Sequence, residues 1–184
     1  MKNSKLRNVT AVLAKILEVA AFFGIAICVI LMIGILTYGD TVSESIKEGH
    51  LNTDTVVNGY SVQIIDEAGN ILVGPSVTAI IAAAIGCLLM GLIFRNIYLI
   101  FKKSNTDSPF SKDNVRMIRE IGIFAIAVPI VNVILTIVGR LIMGANSFQA
   151  SVGLADITYG LVVLCLSQYF AYGAKLEKDV EGLL

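Results

Sequence analysis

Four residues in the last two apolar stretches of the chain are of types that could form an ion-binding or ion-conducting site, three through polar or charged side chains and one by kinking a helix. Pro129 and Asn132 fall near the middle of the third stretch, Arg140 near its end, and Asp156 near the start of the fourth. Proline removes a helical hydrogen bond and usually kinks the helix, and a buried amide needs a polar partner. We interpret Asn132 as a contact between helices, and the lining of a small polar cavity is the alternative.

Arg140 and Asp156 have opposite charges and are separated by a short connection, so their side chains can approach each other. An unpaired charge just inside an apolar span is costly. Even the milder insertion scales give about +3 kcal/mol for a charged residue at the centre of a membrane helix. We therefore predict a structural ion pair at the rim of the membrane. A proton relay through the same two residues is the alternative.

Lys15 and Glu18 lie three positions apart near the start of the first apolar stretch. This spacing places both side chains on one face of a helix, where a lysine stem can extend toward the interface. We predict an interfacial ion pair, and the alternative is a site for a coupling ion.

The residue sets that most enzymes need are missing from the sequence. His50 is the only histidine, and Cys28, Cys87 and Cys165 each lie inside an apolar stretch. These residues give neither a zinc-ligand set nor a disulfide framework, and neither a phosphate loop nor a nucleophile elbow is present. We therefore predict no catalytic residues, no metal site and no cofactor, and a protein that is not an enzyme.

Four apolar stretches account for most of the chain and predict its fold class. The chain has 184 residues, of which 56% are hydrophobic, and each stretch holds about 18 or more residues without a charge, enough to cross the membrane as a helix. We predict an all-α membrane protein, a bundle of four transmembrane helices forming one domain over residues 1–184. The predicted spans are 11–38, 76–101, 115–144 and 153–174.

The distribution of lysine and arginine predicts how these spans are oriented. The N-terminus, the connection between the second and third spans, and the C-terminal tail are basic, whereas the connection over residues 39–75 is mostly acidic. Because lysine and arginine near span ends stay on the cytoplasmic side, we predict that both termini are cytoplasmic. The basic start of the first span is then an uncleaved signal anchor.

The connection over residues 39–75, the outer loop, is predicted to fold. We expect a short helix at Val42–Glu48, two strands joined at Asn58 and Gly59, and a third strand at Ile71–Val73, together a small β-meander. Asn-Gly favours the type I′ turn because both residues tolerate a positive φ. The meander needs a surface to pack on, either the helix ends or a neighbouring subunit. Asn58, Gly59 and Tyr60 are its candidate partner-facing residues.

Two serines are candidates for the start of a helix. Ser76 is expected to cap the second span and Ser111 the third, with Phe110 and Val115 placed for a hydrophobic staple. The charged residues that follow Ser111 predict a basic helix face at anionic lipid headgroups, and not a nucleic-acid site, because this segment is too short. These residues are Lys112, Arg116 and Arg119.

The chain resembles a bacterial family through two segments. Ser-Pro-Phe-Ser-Lys-Asp-Asn-Val-Arg precedes the third span, and Tyr-Gly-Ala-Lys-Leu-Glu-Lys-Asp-Val-Glu-Gly-Leu follows the fourth. Together with the four spans they resemble small bacterial four-span membrane proteins of unknown function, often encoded beside a small helix-turn-helix regulator. The resemblance implies a bacterial plasma membrane and a regulated or stress-linked role. The layout is also similar to claudins, but the chain lacks tryptophan and a cysteine pair in the loop.

Two functions from different classes fit these features. The first is a non-enzymatic membrane protein that acts by recognising a partner, in regulation, sensing or protection of the envelope. The alternative is a subunit of an oligomeric transporter or channel for ions or small solutes, because one four-span copy is small for a transporter. The expected partners are the lipid bilayer and a second copy of the chain or another membrane protein.

Overall fold

The fold is described from a computed structural model of the chain. It describes residues 2–47, 54–57, 60–66, 70–103, 108, 110–143, 148–150 and 154–181. Side chains are described for most of these positions, and those at 2–4, 39–47, 54–57, 60–61, 103, 143, 148–150, 154, 156 and 181 lie outside the description.

Four long helices make up most of the described chain. Each contains a segment long and apolar enough to cross a membrane, judged by length and composition. This outcome confirms the predicted helical class and the number of helices long and apolar enough to span a membrane, which follow from the length of apolar sequence that a bilayer requires. The helices are α1 (Lys2–Lys47), α2 (Val73–Lys103), α3 (Lys112–Met143) and α4 (Leu154–Glu181).

Helix α1 is longer than the first predicted span at both ends. It continues past Tyr38, whose backbone dihedrals (φ −127°, ψ 23°) leave the helical range and kink the helix. The short helix predicted at Val42–Glu48 is therefore not separate. Its residues up to Lys47 belong to α1 and follow the first span across this kink. Helix α3, by contrast, runs without a break through Pro129.

The prediction that Ser76 caps α2 is wrong. The helix begins at Val73, and the Ser76 amide donates a hydrogen bond to the Leu72 carbonyl at 3.0 Å. Ser76 therefore lies inside the first turn, where Pro75 is also tolerated because first-turn amides have no helical partner. The same start rules out Ile71–Val73 as a strand.

One pair of short strands, rather than a three-stranded meander, occurs in the outer loop. Strand β1 (Asp54–Val57) pairs antiparallel with β2 (Tyr60–Gln63), with Val57 opposite Tyr60. The predicted third strand is replaced by an isolated bridge between Ile65 and Ile71. The prediction of a three-stranded meander within the outer loop is therefore wrong. The third strand of the sheet is instead β3 (Phe148–Ala150), from the connection between α3 and α4, and the strand order is β1-β2-β3.

Helix α3 begins as the sequence predicts. The Asn114 amide donates to the Ser111 hydroxyl at 3.3 Å, and the Val115 amide donates to the Ser111 carbonyl at 3.1 Å. Ser111 is thus the N-cap, satisfying an amide that the helix itself leaves without a partner. The preceding Phe110 packs its ring against Phe170 of α4, with centroids 5.6 Å apart.

The chain forms two compact units. The first comprises Met1–Ala21, Leu89–Ala127 and Leu154–Leu184, and the second comprises Phe22–Leu88 and Val128–Gly153. The first unit thus holds the start of α1, the end of α2, the start of α3 and all of α4. The second unit holds the rest of α1, α2 and α3 together with the sheet.

Glycines bring α3 and α4 close together in the first unit. A Cβ added at Gly160 would collide with Ile126, and one at Gly122 would lie 2.8 Å from the Leu164 side chain. Small residues allow such close backbone approach in membrane helices, where van der Waals packing drives association. A larger residue at either position would therefore force the two helices apart or displace the neighbouring side chain.

The core of the second unit joins the sheet to the start of α2. Val62 of β2 is fully buried and clusters with Ala79 and Ala82, which are also buried. Ile64 and Leu135 pack against this cluster. The sheet is consequently anchored to helices through its central strand.

Candidate functional site

The Lys15–Glu18 pair is present and belongs to a larger cluster. Lys15 Nζ lies 3.1 Å from Glu18 Oε2, and the Glu18 side chain is only 10% exposed while that of Lys15 is 48% exposed. Lys15 Nζ also lies 5.2 Å from the centroid of the Tyr98 ring, which Lys102 approaches from 5.5 Å. The half-exposed lysine suits the interfacial interpretation.

Pro129 and Asn132 are both buried in α3. Asn132 is 6% exposed, and one turn later Thr136 is 5% exposed and donates its hydroxyl to the Asn132 carbonyl at 2.9 Å. Asn132 also takes part in a further interaction. The two buried polar residues therefore form one stripe along the second half of α3, which fits a contact between helices.

Arg140 lies in the last turn of α3 and is exposed, with an interaction of its own. The side chain of Asp156 lies outside the described residues, although its backbone is in the first turn of α4. The ion pair between these two residues therefore stays a prediction.

The candidate partner-facing residues of the outer loop fall partly outside the described chain. Asn58 and Gly59 are outside it, while the backbone of Tyr60 lies in β2 opposite both Val57 and Ala150. The pairing of Val57 with Tyr60 leaves two residues between the strands, which is the loop length of a tight hairpin. The two strands predicted on either side of Asn58 and Gly59 therefore pair as expected.

A polar link between α2 and α3 escaped the sequence analysis. Asn96 is 7% exposed and donates its side-chain amide to Glu120 Oε2 at 3.0 Å. The other carboxylate oxygen of Glu120 lies 3.6 Å from Arg116 Nε. The sequence contained two signals for this link: Asn96 is the only side-chain amide in the second apolar stretch, and Glu120 is the only acidic residue in the third.

A groove lies between the start of α3 and the end of α4. Its volume is about 620 Å³, and its lining comes from the segment 108–119 and from α4 beyond Phe170. The cationic members of that lining are Lys112, Arg116, Arg119, Lys175 and Lys178. Sequence analysis assigned the first three to a basic face but did not bring the α4 lysines beside them.

Contacts between the two segments hold the groove together. The Ser108 hydroxyl donates to Glu177 Oε2 at 2.7 Å, and Asn114 donates its side-chain amide to the Ser108 carbonyl at 3.2 Å. Phe110 packs on Phe170 and sits where a Cβ on Gly173 would lie. The chain before α3 is therefore tied to α4 by polar and aromatic contacts.

The groove is positively charged and partly apolar. Glu177 is the one carboxylate among its described lining residues, against five cations, and Val115, Ala171 and Ala174 supply apolar surface. Such a lining favours an anion with an apolar portion. In the described part of the chain, no group of three or more histidine, cysteine or acidic side chains is placed to hold a metal ion.

Comparison with protein-family models, curated proteins and solved structures gives no match to this chain. The class of protein therefore rests on the chain itself: four helices, each long and apolar enough to span a membrane.

Proposed function

We propose that this protein is a multi-pass membrane protein that acts, without catalysis, by recognising a second membrane protein or a second copy of itself. One observation carries the proposal. Strands from two separate connections form one sheet, and the central strand is anchored by the fully buried Val62.

A sheet of this kind suits recognition because its shape is set before a partner arrives. Binding by an already ordered surface avoids part of the entropy cost of ordering a loop. Beyond β2, the Asp66 carboxylate also accepts hydrogen bonds from the Asn70 backbone amide at 2.7 Å and from the Asn70 side chain at 3.0 Å. An outer strand of a small sheet can also accept a further strand from a partner.

The proposed setting is a bacterial plasma membrane with both termini on the cytoplasmic side. The charge asymmetry supports this orientation, and the family resemblance supports the bacterial membrane. The sheet would then face outward and meet a partner there, in regulation, sensing or envelope protection.

Photocrosslinking in native membranes tests the proposal. A benzoylphenylalanine at Asn70, which is exposed, should give a discrete protein adduct, whereas the same group at Val138, exposed on the apolar part of α3, should not. The adduct is identified by mass spectrometry and checked by a reverse crosslink from the partner. Equal labelling at both positions, or none at Asn70, would reject recognition through the sheet.

The alternative, a subunit of an oligomeric transporter or channel, is supported by the buried polar stripe of Asn132 and Thr136. It predicts that the purified protein in proteoliposomes carries an ion or solute. It also predicts that Asn132→Leu or Asp156→Asn abolishes this flux while the protein still folds. Flux of this kind without a protein adduct at Asn70 would put the alternative first.

A further inference from the structure

The cationic groove lies outside the hydrocarbon layer of the membrane. Helices α3 and α4 have 32 and 28 residues. At about 1.5 Å per residue they are about 48 and 42 Å long, whereas the hydrocarbon is only about 30 Å thick. The groove is built from the charged start of α3 and the charged end of α4, and charges are costly in hydrocarbon. These ends therefore extend into water, on the side predicted to be cytoplasmic, and a ligand can reach the groove from solution.

Most of the positive charge of the groove is available for a ligand. Within the described part of the chain, Arg116 is the only one of its five cations with an ion-pair partner, Glu120 at 3.6 Å. The acid of the lining, Glu177, accepts a hydrogen bond from Ser108 at 2.7 Å. The other four cations are exposed and form no salt bridge with a described residue: Lys112, Arg119, Lys175 and Lys178. A matching ligand therefore carries several negative charges.

The cations are spread along the groove and not gathered at one point. On α3 they recur from Lys112 to Arg119, and seven residues of helix rise about 10 Å. Lys175 and Lys178 follow each other at a spacing of about one turn on α4. A single phosphate is shorter than this row, whereas a chain of phosphates can extend along it. Arginine and lysine are the side chains that most often bind phosphate oxygens.

The shape of the groove also favours a small anionic molecule. Its lining includes the N-cap Ser111 and the first turn of α3, where the helix dipole and the free amides attract negative charge. The residues before α3 form a further wall, because Ser108 is bonded to Glu177 of α4. The volume of about 620 Å³ is within the range of about 300–1,000 Å³ that is common for small-molecule pockets.

We propose that the groove binds a soluble organic compound that carries two or more phosphate groups. The phosphates extend along the cations of the two helices, and the organic part lies against Val115, Ala171 and Ala174. Three observations carry the assignment: the charge that is not neutralised from within, its spread along the helices, and the pocket itself. The groove belongs to the first compact unit and the sheet to the second, so the site does not depend on the proposed protein partner.

Adenosine, adenosine monophosphate and adenosine triphosphate test the proposal, because they share one organic part and differ in their phosphates. The intact protein, in nanodiscs of uncharged phosphatidylcholine, is titrated with each compound by calorimetry at constant ionic strength and without divalent cations. The triphosphate should bind at one site, about tenfold or more tighter than the monophosphate, since each further charge-assisted hydrogen bond is equivalent to about tenfold in affinity. Adenosine should not bind detectably.

Two double variants locate the binding site. Arg119→Gln with Lys175→Gln removes two cations of the groove and should weaken binding of the triphosphate about tenfold or more. Lys5→Gln with Arg95→Gln removes the same charge from exposed positions outside the groove lining. This control should change the affinity about twofold at most, because salt screens distant charges. Thermal unfolding without ligand verifies that both variants are folded.

Several results would overturn the assignment. Absence of triphosphate binding, or equally tight binding of the monophosphate, would show that the groove does not select several phosphates. Equal loss in the two double variants would indicate diffuse surface charge instead of a groove. Tetraglutamate that binds as tightly as the triphosphate would assign the groove to an acidic peptide. The same result with glycerophosphoglycerol, the soluble headgroup of phosphatidylglycerol, would assign it to a lipid.

Discussion

At the scale of single residues, two buried polar side chains of this protein have specific partners. Asn96 on α2 donates to Glu120 on α3 at 3.0 Å, and Thr136 donates to a carbonyl of its own helix. Inside a membrane there is little water to replace such a partner, so each hydrogen bond links helices or relieves a polar group. Glu120 in addition lies near Arg116.

A double-mutant cycle can measure the link between Asn96 and Glu120. We expect Asn96→Ala and Glu120→Ala to lower stability in detergent individually, with a coupling of about 0.5–1.5 kcal/mol in the double variant. Reversible unfolding in mixed micelles provides the free energies. Asn8→Ala, at an exposed position of α1, serves as the control. Its effect on the free energy of unfolding and that of Glu120→Ala should be additive in the double variant. Additive losses for Asn96 and Glu120 would mean that the hydrogen bond contributes nothing.

At the scale of elements, two contacts determine how neighbouring segments pack. Helices α3 and α4 meet where Gly122 and Gly160 remove side-chain bulk. The sheet combines β2 of the outer loop with β3 of a connection much later in the chain. Both contacts depend on backbone proximity, and both can be probed with a matched control.

The glycine contact predicts a contrast between two Gly→Ala variants. Gly160→Ala should destabilise the protein by about 1–3 kcal/mol, because the new methyl group meets Ile126 in an already packed contact. Gly34→Ala meets nothing within 4 Å and should be neutral or gain up to about 1 kcal/mol from helix propensity. Thermal unfolding in detergent compares the two variants. The contact would be disproved if Gly160→Ala were as harmless as Gly34→Ala.

The strand order predicts a contrast between two cysteine pairs, in a background without Cys28, Cys87 and Cys165. Ser61 on β2 is the partner of Gln149 on β3, so cysteines at these positions should form a disulfide under mild oxidation. Cysteines at Val56 and Gln149 lie two strand spacings apart, roughly 10 Å, which is too far. Electrophoretic mobility before and after reduction detects the bond. Crosslinking of the second pair alone would contradict the order β1-β2-β3.

At the scale of the whole molecule, the exposed apolar surface is large. In the most apolar 18-residue stretch of α1, which lies between Lys5 and Tyr38, only 6% of the residues are buried. Exposed large side chains such as Phe23 (67%) and Ile30 (68%) would be unfavourable in water and are favourable against lipid chains. This surface agrees with four membrane spans, and the distribution of basic residues predicts their orientation.

Thiol labelling on intact cells tests this orientation. Single cysteines are placed at Ser45, in the outer loop, and at Glu181, in the C-terminal tail, after the three native cysteines are removed. An impermeant reagent should label the loop position and leave the tail position unlabelled until the cells are opened. Labelling of the tail alone would reverse the predicted topology.

Features that depend on neighbours in the chain were predictable from the sequence. The length of the apolar stretches predicted the four helices. Ser111 predicted the start of α3, and the spacing of Lys15 and Glu18 predicted their contact. The Asn-Gly pair likewise predicted the antiparallel strands on either side of it. Each of these depends on local geometry or on the thickness of the bilayer, which act over a few turns.

Features that join distant segments were decided by the tertiary structure. In lipid both the packed and the exposed faces of a helix are apolar, so hydrophobic periodicity does not show which face meets which helix. The sequence therefore could not pair β3 with β2, place Gly160 on Ile126, or show that Lys175 and Arg119 line one groove. It also misplaced the start of α2 at Ser76, because the serine favoured a cap whereas the helix had already begun at Val73.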